Sequence, residues 1–319
     1  MNEGLNRLKN FPITLFATIM GLAGLGIAFE RFDHLTGSHL YAGKYIIYAT
    51  FAWFCFVSSV YLLKFVRYPS EIIGEFKHPV RINFFPAISI SMLLLSAGLY
   101  GYMPNVAIVL CYLGAALQIV FTYAIIYIWF YKDIKLQTMN PSWFIPVVGT
   151  IVVPVAGKGI LPDDVLWFFF SIGIILWPIL YTLLKYRLIF HEPLPMKLLP
   201  TKFIFIAPPA VAFIAYFKLT GSLDPFSRIL YFFALFITLM LFTMFRRFYS
   251  VPYFVSWWAY TFPMDAIAIA TSIMYKLTGN IFYKYLAGFF LIVAVLVVAH
   301  VLFYSIVNAL RGKICVPEG

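Results

Sequence analysis

YTFPMDAIAIATSI, residues 260 to 273, is apolar enough to lie in a bilayer, yet it carries a proline and a carboxylate, Pro263 and Asp265, with the bulky Phe262 just ahead of both. In lipid, the carbonyl that a proline frees and the charge of an acid must both face protein or a wet cavity. What surrounds the stretch decides its setting. The 319 residues are 63% hydrophobic and 11% charged, with a mean hydropathy of +0.92, outside the range of soluble globular domains. About 20 helical residues cross roughly 30 Å of hydrocarbon, and such runs follow one another from end to end. Residues 1–319 therefore read as one all-α integral membrane domain, with no stretch left for a soluble one.

Cutting the chain at charged and turn-rich breaks gives ten transmembrane spans, at 8–29, 44–65, 82–101, 106–131, 143–157, 162–185, 202–219, 226–246, 253–276 and 280–310. The first follows basic residues as a signal peptide does. Its apolar part is long, however, and no small-x-small cleavage site precedes the charged ERFD, so it reads as a retained span. Seven of the 23 Lys and Arg (Arg31, Lys44, Lys158, Lys218, Arg228, Lys276 and Lys284) fall on one side of this arrangement and the other sixteen on the opposite side. Cytoplasmic loops retain positive charge, so both termini are expected in the cytoplasm. The net charge of +11 is then a topology signal, and no nucleic-acid partner is implied. Cys55, Cys111 and Cys315 lie in two spans and the tail, which suits neither a disulfide framework nor a metal site, and no cofactor is expected.

The odd spans share a feature that the even spans mostly lack: Phe11-Pro12, Phe84-Phe85-Pro86, Phe144-Ile145-Pro146, Ile206-Ala207-Pro208 and Phe262-Pro263, each followed by small or β-branched residues. This predicts five helical hairpins on one plan. The odd spans all run the same way across the membrane, so they can form an inner ring around a central pore, in quasi-five-fold arrangement, with the longer even spans outside. Pro12, Pro86, Pro146, Pro208 and Pro263 are expected to bend these helices toward a lumen or a packed core, since an interior proline costs about 3 kcal/mol and frees a carbonyl. Small residues such as Gly21, Gly24, Ser89, Ser91, Ala266 and Ala268 suit close helix packing and a narrow pore equally.

Of the 12 carboxylates, only Asp265 lies well inside a span, and no Lys or Arg lies deep in any. Burying it ionised costs roughly 2.5–3.5 kcal/mol. It reads first as a local cap accepting hydrogen bonds at the bend, and otherwise as a proton relay or pathway-lining group. His300, the other deep ionisable residue, reads as structural, bonded to a carbonyl or hydroxyl on a neighbouring helix. Phe262 precedes a proline and so projects from a restricted backbone. If it faces the ring axis, it plugs the passage. Phe11, Phe85 and Phe144 hold matching places in other odd spans and are further candidates for lining it. Without a deep fixed cation, access should be governed by dipolar attraction and dehydration, favouring large, easily dehydrated anions.

Ten spans, the Phe-Pro elements of the odd spans and YTFPMDAIAIAT resemble the tellurite-resistance/dicarboxylate transporter family over essentially the whole chain. That family includes plant guard-cell slow anion channels and fungal malate permeases. The resemblance implies a homotrimer in a bacterial inner membrane. It implies that every protomer has its own pore, lined by five inner helices, surrounded by five outer ones and occluded by Phe262. It implies that small inorganic monovalent anions such as chloride and nitrate pass. Plant members carry long phosphorylated tails, whereas little sequence precedes Pro12, so kinase control of gating is not expected.

The first expectation is thus a gated anion channel. The alternative is a proton-coupled secondary transporter of tellurite or C4-dicarboxylates, with Asp265 or His300 carrying protons. An enzyme is not expected, for the chain has no HExxH, GxSxG, dinucleotide or P-loop fingerprint. No thiol-rich site for tellurium chemistry is present, so a tellurite phenotype would follow from anion passage.

Overall fold

The structure, a computed structural model, describes residues 7–37 and 41–316. Ten helices dominate: α1 (Phe16–Thr36), α2 (Ala42–Arg67), α3 (Pro86–Leu99), α4 (Pro104–Tyr131), α5 (Phe144–Gly157), α6 (Asp163–Phe190), α7 (Ala207–Thr220), α8 (Pro225–Thr243), α9 (Thr261–Thr278) and α10 (Ile281–Leu310). Short helices Pro69–Lys77 and Phe245–Tyr249 lie between them. Among the described residues no strand forms, and one isolated bridge joins Lys158 and Leu161. The segments holding α1 to α4, α6 to α8 and α10 are eight helices long and apolar enough to cross a membrane. The apolar segment of α5 is shorter, and α9 carries Asp265 and Lys276.

The odd helices begin differently from the even ones. Each is led in by a 3-10 segment: Ile13–Leu15, Arg81–Phe84, Pro141–Trp143, Met196–Ile206 and Val255–Tyr260. A 14-residue α-helix such as α3, α5 or α7 spans only about 21 Å, and the 3-10 lead-in, rising about 2 Å per residue, lengthens it.

The repeated prolines sit at these junctions. Pro86, Pro146, Pro208 and Pro263 occupy the first three residues of their α-helices, and Pro12 precedes the 3-10 turn ahead of α1. In a first turn the missing N–H has no helical acceptor to lose. The expected bend within an established helix is therefore corrected: the prolines mark where 3-10 backbone converts to α. Past the first turn, Pro154 in α5 and Pro178 in α6 lie inside α-helices.

Packing follows a single rule. α1 packs on α3, α3 on α5, α5 on α7, α7 on α9, and α9 closes back on α1. Each even helix packs on the odd helix before it and also on the one after, with α10 returning to α1. The odd helices are consequently covered on nearly all sides, whereas α2, α4, α6, α8 and α10 expose large apolar side chains such as Phe56, Phe130, Ile175, Phe236 and Leu296. Closure between α9 and α1 depends on Gly21 and Gly24. A Cβ at Gly21 would collide with Thr261 Oγ1, and one at Gly24 would lie 2.7 Å from Asp265 Oδ2. Three odd helices end alike, α1, α7 and α9 stopping at Gly37, Gly221 and Gly279 with φ of 67°, 71° and 65°, a left-handed stop that glycine adopts without strain.

Two buried polar groups tie the junctions down. Gln118 of α4 accepts from Ser89 Oγ (2.7 Å) and donates to the Pro146 carbonyl (2.9 Å) and Thr122 Oγ1 (2.9 Å), so it links the starts of α3 and α5. Lys64 of α2, fully buried, donates to the Phe11 carbonyl at 2.8 Å and pairs with Glu75 at 3.1 Å. The Tyr61 hydroxyl donates to the same carboxylate at 2.8 Å. A buried ion pair is tolerable when its remaining lone pairs are satisfied in this way.

Candidate functional site

The odd helices enclose two cavities that meet at one side chain. The first, of about 170 Å³, is lined by Ile27, Glu30, Arg31 and His34 of α1, Leu94 and Ala97 of α3, Val152 and Val155 of α5, Val211, Ile214 and Lys218 of α7, and Phe262, Ala266 and Ile269 of α9. The second, of about 40 Å³, is lined by Ala17 and Met20 of α1, Ile90 of α3, Ile145 and Val148 of α5, Ala207 of α7, Phe262 and Pro263 of α9, and residues of the 3-10 lead-ins. All five odd helices contribute to both. Among the described residues, Phe262 is the one that lines both.

Each cavity adjoins a wider mouth. The larger shares Arg31, His34 and Lys218 with a cavity of about 420 Å³ that adds Ser272 and Lys276. The smaller shares Thr14, Phe84, Val255 and Ser256 with one of about 690 Å³, where Lys9, Lys64, Arg81, Lys197 and Lys313 stand beside Glu71 and Glu75. Each of these cavities thus shares lining residues with the next, and the two inner ones share Phe262.

The backbone explains the position of Phe262. It is the second residue of α9, just past the 3-10 segment Val255–Tyr260. Thr261 Oγ1 donates to the Trp258 carbonyl at 2.8 Å, and Trp258 Nε1 donates to Ser305 Oγ of α10 at 2.9 Å. The junction is thereby fixed to the outer helix on one side and pressed against Gly21 on the other. Phe262 itself is 7% exposed, an aromatic ring among apolar side chains such as Val148, Val211 and Ile269.

The charged end of the larger cavity departs from expectation. α1 runs on to Thr36, so Glu30, Arg31 and His34 belong to the helix and not to a loop. Lys218 reaches the same cavity from α7 and donates to the Val155 carbonyl at 2.5 Å. No Lys or Arg lies deep in a span, yet Arg31 and Lys218 line this cavity from near the helix ends, because long side chains there extend back along the helix. Glu30 is hydrogen-bonded by the Tyr102 hydroxyl. Partial desolvation and that carboxylate push Tyr102, in the turn ahead of α4, up to about 12, so it remains a donor at neutral pH.

Other anticipated residues lie elsewhere. Asp265 is fully buried against Gly24 and lines neither cavity. Among the described residues neither of its oxygens has a hydrogen-bond partner, which speaks against the capping role. Phe11, Phe85 and Phe144 are buried in the packed core, Phe85 edge-on to Phe76 and Phe121 and Phe144 against Phe205. Phe84, its neighbour, lines the smaller cavity instead. His300 stacks on Trp257 at 5.4 Å on the exposed side of α10, away from the lumen, so it is not a deep internal group. Arg31, Lys218 and Gln118 were missed. The glycine stop at Gly37, with Ile27, Arg31 and His34 on one helical face, carried the signal for the first of these.

Comparisons with known proteins identify the family. The family of voltage-dependent anion channels (SLAC1) matches residues 10–306. An uncharacterized transporter of Methanocaldococcus jannaschii, MJ0762, is 29% identical over 85% of this chain and 87% of its own length. The S-type anion channel SLAH2 of Arabidopsis thaliana is 30% identical over 83% of this chain and 52% of its own, so the chain spans about half the length of that plant relative. The tellurite resistance protein TehA homolog of Haemophilus influenzae is 26% identical over 87% of this chain and 85% of its own. With nearly its whole length matched, the chain belongs to the voltage-dependent anion channel family.

Proposed function

We propose that this chain is a gated channel for small monovalent anions such as chloride and nitrate, with one pore per protomer occluded by Phe262. The observation that carries the proposal is that Phe262 alone lines both axial cavities. In this reading all ten helices cross the membrane as five hairpins in quasi-five-fold order around that pore. Closure of α9 on α1, with every even helix bridging two odd ones, supports it. Two cations against one carboxylate at the charged end favour anions over cations. The plant relatives are S-type anion channels by name, which points the same way.

The positive-charge asymmetry supports cytoplasmic termini, which sets the charged cavity toward the outside and the 690 Å³ mouth toward the cytoplasm. We place the protein in a bacterial inner membrane as a homotrimer, with any link to tellurite resistance arising from anion passage. The test is current through a voltage-clamped membrane for the parent and Phe262→Ala in chloride, nitrate and sulfate. A large gain of chloride and nitrate current is expected. No current in either form, together with proton-dependent solute flux, contradicts the proposal.

One observation favours the alternative, a proton-coupled transporter of tellurite or C4-dicarboxylates: the Asp265 carboxylate is buried with both oxygens unpartnered. Its absence from both cavity walls ranks it second. Asp265→Asn should leave anion current intact in the channel reading and abolish gradient-driven uptake in the transporter reading.

A further inference from the structure

We infer that Arg31 and Lys218 form a binding station for one small monovalent anion on the charged side of Phe262, held between two helices that face each other across the lumen. The inference rests on the channel reading above and adds a residence site to it. α1 and α7 are not neighbours in the ring: α3 and α5 separate them on one side and α9 on the other. Their cationic side chains nonetheless line the same cavity of about 170 Å³, and the Arg31 charge is near enough to act on Lys218.

Like charges converging on a lumen repel unless something negative lies between them. Among the described residues no carboxylate bridges this pair. Glu30 adjoins Arg31 and is engaged by the Tyr102 hydroxyl, and the hydrogen bond that Lys218 makes is to the neutral Val155 carbonyl. An ammonium has three donors, so two remain to point into the cavity. The guanidinium supplies a planar fork of further donors. Convergent donors with net positive charge suit a halide or nitrate.

The same arrangement limits affinity. Glu30 at the rim cancels part of the charge, and a permeating ion must leave as readily as it arrives. The remaining surplus is about one unit, which suits a monovalent ion in transit. A divalent oxyanion such as sulfate should be held longer and block current instead of carrying it.

Bromide, located by anomalous scattering in crystals, tests the station without reference to conduction. A peak between Arg31 and Lys218 in the parent, lost in Lys218→Met, is expected. No peak there, or one that persists in Lys218→Met as an adventitious ion only, overturns the inference. In the Phe262→Ala background, the chloride concentration giving half-maximal current should rise about tenfold in Lys218→Met, as loss of a charge-assisted hydrogen bond implies, and Lys218→Arg should restore it. Unchanged saturation also overturns the station. If Phe262→Ala carries no anion current, the channel reading fails, and the bromide peak still decides the station.

Discussion

The two sides of Phe262 are built from the same five helices and are chemically opposite. On one side the wall is Met20, Ile90, Ile145, Val148 and Ala207, around a cavity of about 40 Å³, room for roughly three waters. On the other, a cavity of about 170 Å³ ends in Glu30, Arg31, His34 and Lys218. The narrow apolar collar penalises any ion that must shed water. In the proposed channel the charged vestibule would select the sign of the ion and raise its local concentration. In that channel, barrier height and charge selection are therefore separable, with Phe262 between the two cavities.

Perturbing the joint should have the largest effect. Shortening the ring in the series Phe262→Leu, Phe262→Val and Phe262→Ala should raise anion current step by step, reaching about tenfold or more at alanine, as read by voltage clamp. A second perturbation sharpens the apolar side alone. Val148→Ser in the Phe262→Ala background puts a hydroxyl in the collar, eases dehydration, and should raise sulfate relative to chloride permeability severalfold without moving chloride saturation.

A milder change acts on the charged side. Glu30→Gln adds one unit of positive charge to the vestibule and should raise chloride current about twofold at low salt, an effect lost near 1 M, where the screening length is about 3 Å. The smallest effect concerns Asp224, which caps α8 and lies outside the lumen. The Ser227 amide and the Tyr216 hydroxyl hold its carboxyl below the usual range. Its contribution to stability is accordingly present above the unfolded carboxylate pKa and lost as pH falls through the lower folded one. Asp224→Ala should lower the melting temperature slightly at neutral pH and not at all at strongly acidic pH, with current unchanged.

Much of this architecture is legible in the chain. Apolar runs and the recurrence of Phe-Pro in alternate spans point to the odd helices as a matched set that includes Phe262, while the choice of Phe262 among them comes with the family resemblance. Its limits have physical causes. Residue type near Pro86 or Pro263 does not tell a bent α-helix from a 3-10 turn entering an α-helix, since both tolerate proline and packing chooses between them. Phe84 and Phe85 are equivalent in composition, and only the helix phase turns one toward the cavity and the other toward Phe76 and Phe121. Arg31 and Lys218 sit near helix ends, where charge is usually solvated, and their reach into the lumen depends on side-chain length and direction. Asp265 fails as a cap because Gly24 lets α1 close over it.

If Phe262 separates two compartments, side-specific thiol labelling will reveal it. With Cys55, Cys111 and Cys315 replaced, cysteines are placed singly at Ala266, in the charged cavity, and Ala207, in the apolar one. A membrane-impermeant thiol reagent is then applied from either face. The account predicts that with Phe262 present Ala266→Cys reacts only from outside and Ala207→Cys only from inside, and that Phe262→Ala makes both reactive from either face. Labelling of Ala207→Cys from outside with Phe262 intact would contradict it.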